Sequence, residues 1–205
     1  DTIYTLQTGY KGISQIADVS CGENDTYTLL DSNRGHIFTY DSDGYLLFAF
    51  SGPDVTAGGF RTPISIAQAG EVLFVLDANT RTVTKFSQTD FAKAVLSAVR
   101  TQSEGKYQES AEWWQEVLNM NANYDLAYIG LGKAAYRDGD YKKAMDLFQH
   151  GNNRSWFSKA YAEYRKALVA EWFAPVAMIG IALCGSAALI LKIRSIKKKR
   201  NEELD

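Results

Sequence analysis

The stretch Leu30-Asp31-Ser32-Asn33-Arg34-Gly35-His36-Ile37-Phe38-Thr39-Tyr40 is echoed 46 residues later by Leu76-Asp77-Ala78-Asn79-Thr80-Arg81-Thr82-Val83-Thr84-Lys85-Phe86. Each copy reads as a strand ending in aspartate, a polar turn, and a second strand ending in an aromatic residue. Similar alternating runs flank it: Thr26–Leu30, Tyr45–Phe50 and Val72–Leu76. Residues 1–90 are therefore expected to form β-structure built from a repeated unit. A third, degenerate copy is expected to start at Asp1-Thr2-Ile3-Tyr4-Thr5-Leu6.

A second period follows. Gly105-Lys106-Tyr107 recurs as Gly139-Asp140-Tyr141, an offset of 34, and Ser110 and Trp114 recur as the small Ala144 and the large Phe148. That spacing is the tetratricopeptide (TPR) period. Tyr128, Leu131 and Gly132 occupy the aromatic, leucine and glycine positions of the second repeat's first helix. Small residues let antiparallel helices approach, and aromatics fill the seam. Ala122 and Trp156 stand where proline is common at repeat exits. Residues 91–154 are expected to be two TPR repeats, and 155–171 a helix with Phe157, Ala160, Tyr161, Tyr164 and Leu168 on one side, capping the stack.

From Trp172 to Leu191 no side chain is charged. A bilayer core needs roughly 20 such residues, so 172–193 is expected to be a transmembrane helix, with Pro175 near its start. The bases Lys192, Arg194, Lys197, Lys198, Lys199 and Arg200 outnumber the acids after it, Glu202, Glu203 and Asp205. The positive-inside rule then places the tail 194–205 in the cytoplasm and 1–171 outside. Gly180, Cys184 and Ala188 fall at i, i+4 and i+8, a stripe that would let another membrane helix approach.

The turns and strand ends of the β-region resemble NHL-type β-propellers: Leu30-Asp31, then Ser32-Asn33-Arg34, then Ile37–Tyr40 and the acidic turn Asp41-Ser42-Asp43-Gly44. About two blades are present, and propellers typically need about four to eight. Further blades upstream are expected, which would also account for the missing leader. The fold expectation is thus multidomain, β then α: a partial propeller, a TPR pair with a capping helix, and one C-terminal membrane helix.

Taken together, the order resembles a bacterial family combining NHL and TPR units with membrane helices. Its members are found beside sugar ABC transporters in Gram-positive bacteria, and some continue into a Yip-type membrane domain. The resemblance implies an accessory or scaffolding role, with transporter permease subunits as the partner.

Chemistry is sparse. His36 and His150 lie in different regions, and Cys21 has no histidine in any motif beside it. No catalytic residue, cofactor or metal site is expected. The Asp41–Gly44 segment lacks the position-twelve carboxylate of a calcium loop, and a tight turn accounts for it better. A net charge of −2 gives no reason to expect nucleic acid. The candidate partner surface is the concave face of the TPR pair: Val99 and Gln102 from the first repeat, Ile129, Lys133, Tyr136 and Arg137 from the second. A tyrosine beside two cations suits an acidic peptide, although the β-region could fill the groove instead. Three functional classes remain open: a scaffold, a carbohydrate-binding sensor using the propeller, and an enzyme whose site lies on missing blades.

Overall fold

The computed structural model describes residues 13–22, 26–55 and 58–202. Alternating side chains build two antiparallel sheets, each in simple sequence order. The first comprises β1 (Ile16–Cys21), β2 (Tyr27–Asp31), β3 (His36–Tyr40) and β4 (Leu46–Ser51). The second comprises β5 (Pro63–Ala69), β6 (Val72–Asp77) and β7 (Thr82–Ser87). The expected copy at Asp1–Leu6 lies outside the described residues.

The two sheets stack through one cluster containing Leu30, Ile37, Ile66, Val75 and Phe60, edged by Phe50, Leu73 and Phe86. Their first strands also touch: the Asp18 carboxylate in β1 accepts hydrogen bonds from Ser65 Oγ and the Ile66 amide in β5. Those bonds from Ile66 and then Ser65 hold the Asp18 carboxyl below its ordinary range.

The 46-residue repeat is structural as well as textual. Asp31 Oδ1 accepts the Asn33 and Arg34 amides, and Asp77 Oδ1 accepts the Asn79 and Thr80 amides. Each aspartate is fully buried and braces its own turn. The turn residue at the same place in each copy, Gly35 and Arg81, has a left-handed backbone, with φ of 69° and 56°. A Cβ at Gly35 would lie 2.3 Å from the Gly52 carbonyl oxygen, so the first copy also needs glycine for space.

Helices take over at Thr89, whose hydroxyl caps α1 (Asp90–Ser103) by accepting the Ala92 amide. There follow α2 (Tyr107–Met120), α3 (Asp125–Arg137) and α4 (Tyr141–His150). The hairpins α1/α2 and α3/α4 repeat at 34 residues, each turning on a left-handed glycine, Gly105 or Gly139. Packing follows the small-residue logic. Ser110 Oγ donates to the Ala98 carbonyl, and the Phe148 ring fills the space a Cβ at Gly132 would need. Trp114 sits as closely against Gly130, a glycine with no counterpart in the repeat pattern.

The last helix, α5 (Arg154–Glu202), differs from expectation. The cap and the apolar segment are one continuous 49-residue helix, and Pro175 lies in its interior instead of its first turn. Its first turns pack against α4 through Trp156, Phe157 and the fully buried Ala160. Beyond them its apolar side chains, from Leu168 to Leu191, are exposed. Among the described residues it is the one helix long and apolar enough to cross a membrane.

Candidate functional site

The β-region and the helices are joined by a turn that reaches into the helical layer. Asp41, Ser42, Asp43 and Gly44 form a tight turn, closed by the Gly44 amide on the Asp41 carbonyl, with Gly44 at φ 83°. Behind it Leu47 is buried among Val95, Val99, Trp114 and Ala127. The Tyr124 hydroxyl donates to the Leu47 carbonyl at 2.6 Å. Burial, and then the nearby Asp41, push the Tyr124 phenol up from its ordinary range.

This turn, α1, α3 and the start of α5 enclose a cleft of about 330 Å³. Four of the six residues expected on a concave helical face line it: Val99, Gln102, Lys133 and Arg137. Ile129 lines only a smaller recess beneath. The structure corrects the expected surface in two ways. Val99, 8% exposed, lies on the cleft's floor and Ile129, 6% exposed, lies beneath it, so neither is a contact surface. Tyr136 turns away, its ring meeting Tyr141 and Trp156 edge-on. The aromatic walls come instead from Tyr107 and Trp156.

Both cations are held in place by these rings. Arg137 lies with its guanidinium carbon 5.0 Å from the Tyr107 ring centre. The Lys133 ammonium is 5.5 Å from the Trp156 ring centre, and Lys159 sits 4.4 Å from the same ring. The Lys133 side chain is only 13% exposed, and its ammonium meets Asp43 at 3.9 Å. That separation is long for an ion pair, so an incoming carboxylate can compete for the ammonium.

Asp41 lines the cleft as well and accepts the Tyr45 amide at 2.8 Å. Burial raises its carboxyl above the ordinary range, the Tyr45 bond opposes this, and Asp43 adds to it. A carboxyl raised in the folded state binds its proton more tightly there than in the unfolded chain. Ionising it therefore costs stability as pH rises from the ordinary carboxylate value through the raised one. Asp41→Asn, which keeps the acceptor oxygen, should be more stable than the parent at pH 7. The advantage should vanish below about pH 4, and parallel thermal melts at the two pH values would measure it.

A second cavity, of about 370 Å³, lies between the sheets and α1. Phe48, Phe50, Leu73, Phe86, Phe91 and Leu96 line it together with polar residues that include Glu71, Ser87 and Gln88, and the buried Thr28 and Thr39 hydroxyls are 3.2 Å apart and occupied with each other. Sequence reading missed this cavity because its wall is drawn from both sheets and a helix, with no local motif.

The other singled-out residues do not converge. His36 pairs with the Ser51 carbonyl, and His150 stacks on Tyr128. Cys21 is exposed at the end of β1, while Gly180, Cys184 and Ala188 lie on the bare part of α5. Among the described residues no group of His, Cys, Asp or Glu side chains is placed to hold a metal. Comparison with protein-family models and with curated proteins finds no match to this chain.

Proposed function

We propose that this chain is a membrane-anchored scaffold that presents an NHL-type pair of blades and two TPR hairpins outside the membrane. The proposed ligand is an acidic segment of a partner protein, bound in the cleft between them. The observation that carries this reading is the cleft itself: two cations are fixed over aromatic rings beside the buried Val99, and Lys133 is only loosely engaged by Asp43. Charge-assisted hydrogen bonds to such prepaid cations lose little side-chain entropy on binding.

The blade reading is supported by the matched aspartate turns and by the adjacency of the first strands of successive sheets. The TPR reading is supported by the 34-residue register of the two hairpins. The basic tail after Lys192 supports a cytoplasmic C-terminus. From the family resemblance, the permease of a sugar-type ABC transporter is the partner to look for. The carbohydrate-sensor alternative draws less support, because the surface of the cavity between the sheets is mainly apolar, although Glu71, Ser87 and Gln88 reach it.

The test is affinity capture from detergent-solubilised membranes with the parent chain and with Lys133→Ala/Arg137→Ala. Removing two charge-assisted contacts, at about 1.5–3 kcal/mol each, should cut partner recovery by at least tenfold. Equal recovery by both chains would overturn the cleft as the binding site. Capture of a glycan with no protein would favour the sensor.

A further inference from the structure

The cavity between the sheets and α1 does not end at its aromatic wall. Its half-buried rings come from Phe48 and Phe50 of β4, Phe86 of β7 and Phe91 of α1. Ala49 and Ala92 also line it, and their single methyl groups leave free the space that larger side chains would fill. At about 370 Å³ it falls in the size range of small-molecule sites, roughly 300–1,000 Å³. Glu71 is the one charged residue among the described residues that line it.

A second, charged cavity of about 280 Å³ adjoins this chamber, and Gln68, Glu71, Gln88 and Leu96 line both. Beyond them it holds Lys93, Ser97 and Arg100 of α1 and Trp113 of α2, whose ring is 37% exposed. Lys93, Ser97 and Arg100 fall at i, i+4 and i+7, which sets all three on one side of the helix. Neither cation forms an ion pair among the described residues. Glu104, the acid nearest Arg100 along the chain, is taken by Lys106 at 2.7 Å. With Glu71 as the one acid in its lining, the second cavity keeps a net positive charge.

We propose that the two cavities form one site for a free organic acid. Its apolar body lies in the aromatic chamber, and its single carboxylate passes Gln68 and Gln88 to meet Lys93 and Arg100. The division follows from where the charges lie. The chamber offers rings and no cation, so a carboxylate left inside it would lose water without gaining a partner and would face Glu71. Past that boundary two unpaired cations and the Ser97 hydroxyl can take it by charge-assisted hydrogen bonds. The ligand must therefore be long enough to carry its head beyond Glu71, and shorter acids are rejected there. The site uses neither Lys133 nor Arg137, and it is independent of what the cleft binds.

The test titrates the full chain in bilayer discs, by calorimetry with empty discs subtracted, using 6-phenylhexanoate, 6-phenylhexan-1-ol and 6-phenylhexylamine. The acid should bind most tightly and the amine least. Lys93→Ala/Arg100→Ala, at two exposed positions, should weaken the acid by about tenfold or more and leave the alcohol within about twofold. Glu71→Gln, also exposed, should tighten the acid, because it removes the opposing charge. Ala92→Phe fills the chamber and should abolish binding of the acid; the charge variants decide the matter even if that chain fails to fold. An amine that binds best, and is weakened by Glu71→Gln, would make this a site for organic cations and overturn the proposal. Equal binding of all three probes, unmoved by Lys93→Ala/Arg100→Ala, would reduce it to an apolar cavity. Loss of the acid in Lys133→Ala/Arg137→Ala instead would put the ligand in the cleft, and no binding of the acid to the parent chain would remove the site altogether.

Discussion

Asp77→Ala should destabilise the second sheet by on the order of 4 kcal/mol. Its carboxylate is 1% exposed and takes four backbone amides: Arg61 and Thr62 on Oδ2, Asn79 and Thr80 on Oδ1, at 2.7–3.1 Å. Alanine leaves all four donors without that acceptor, and each orphaned buried donor costs about 1–3 kcal/mol. Asn79 and Thr80 lie in an exposed turn and can turn to water, which trims the total. Amide exchange of β6 and β7 should accelerate strongly while α3 and α4 stay protected. Unchanged protection in β6 would refute the bracing role.

The same site fixes a pH dependence. Burial works to raise the Asp77 carboxyl, but the four amides outweigh it, and the net position is below the ordinary value of 3.8. A lowered carboxyl contributes stability above its unfolded value and loses it as pH falls through the folded one. The gap between the parent and Asp77→Ala should therefore be full at neutral pH and close only in acid below about pH 4. Asp31 carries the equivalent load with three amides, from Gln15, Asn33 and Arg34, so Asp31→Ala should be the milder of the pair.

The second large effect lies in the helical layer. Phe148 is fully buried, stacked on Trp156 with ring centres 5.6 Å apart, and surrounded by Ile129, Ala135, Ala144 and Ala160. Phe148→Ala should cost about 3–5 kcal/mol through lost burial and an unfilled cavity. Gly132→Ala should also destabilise, by roughly 1–3 kcal/mol, because the new methyl would lie 2.6 Å from Phe148 Cε1. Together the two changes should cost less than their sum, since the methyl enters space the ring has left. Urea unfolding followed by tryptophan fluorescence measures the cycle, and strictly additive losses would disprove the packing argument.

Local periodicity carried much of this architecture. The aspartates at 31 and 77 marked the repeated turn because a short acidic side chain can accept its own following amides. The spacing of 34 marked the hairpins because Ser110 and Ala144, or Trp114 and Phe148, must solve the same packing problem twice. The apolar run after Glu171 was legible from length alone. What periodicity missed is what crosses between repeats. Tyr124 reaches Leu47, 77 positions away, and neither residue stands out in its own segment. Gly130 looked like an ordinary helix residue until Trp114 was found against it. The cleft was half legible: Lys133 and Arg137 are where the helical period put them. Tyr136 is not, because Trp156, which stands where a repeat exit often has proline, draws its ring into the seam.

The unbroken run of α5 has a mechanical consequence. Trp156, a wall of the cleft, and the exposed apolar stretch beyond Leu168 belong to the same helix, about 70 Å long at ~1.5 Å per residue. No slack separates them. A membrane helix answers a thicker or thinner bilayer by changing its tilt, and α5 has two places where it can bend sharply: Pro175, where the ladder lacks a donor, and the Gly185-Ser186 pair. For an α5 set in a bilayer, the stiffness at Pro175, the break nearest the cleft, would set how much of a membrane deformation reaches the indole ring beside Lys133.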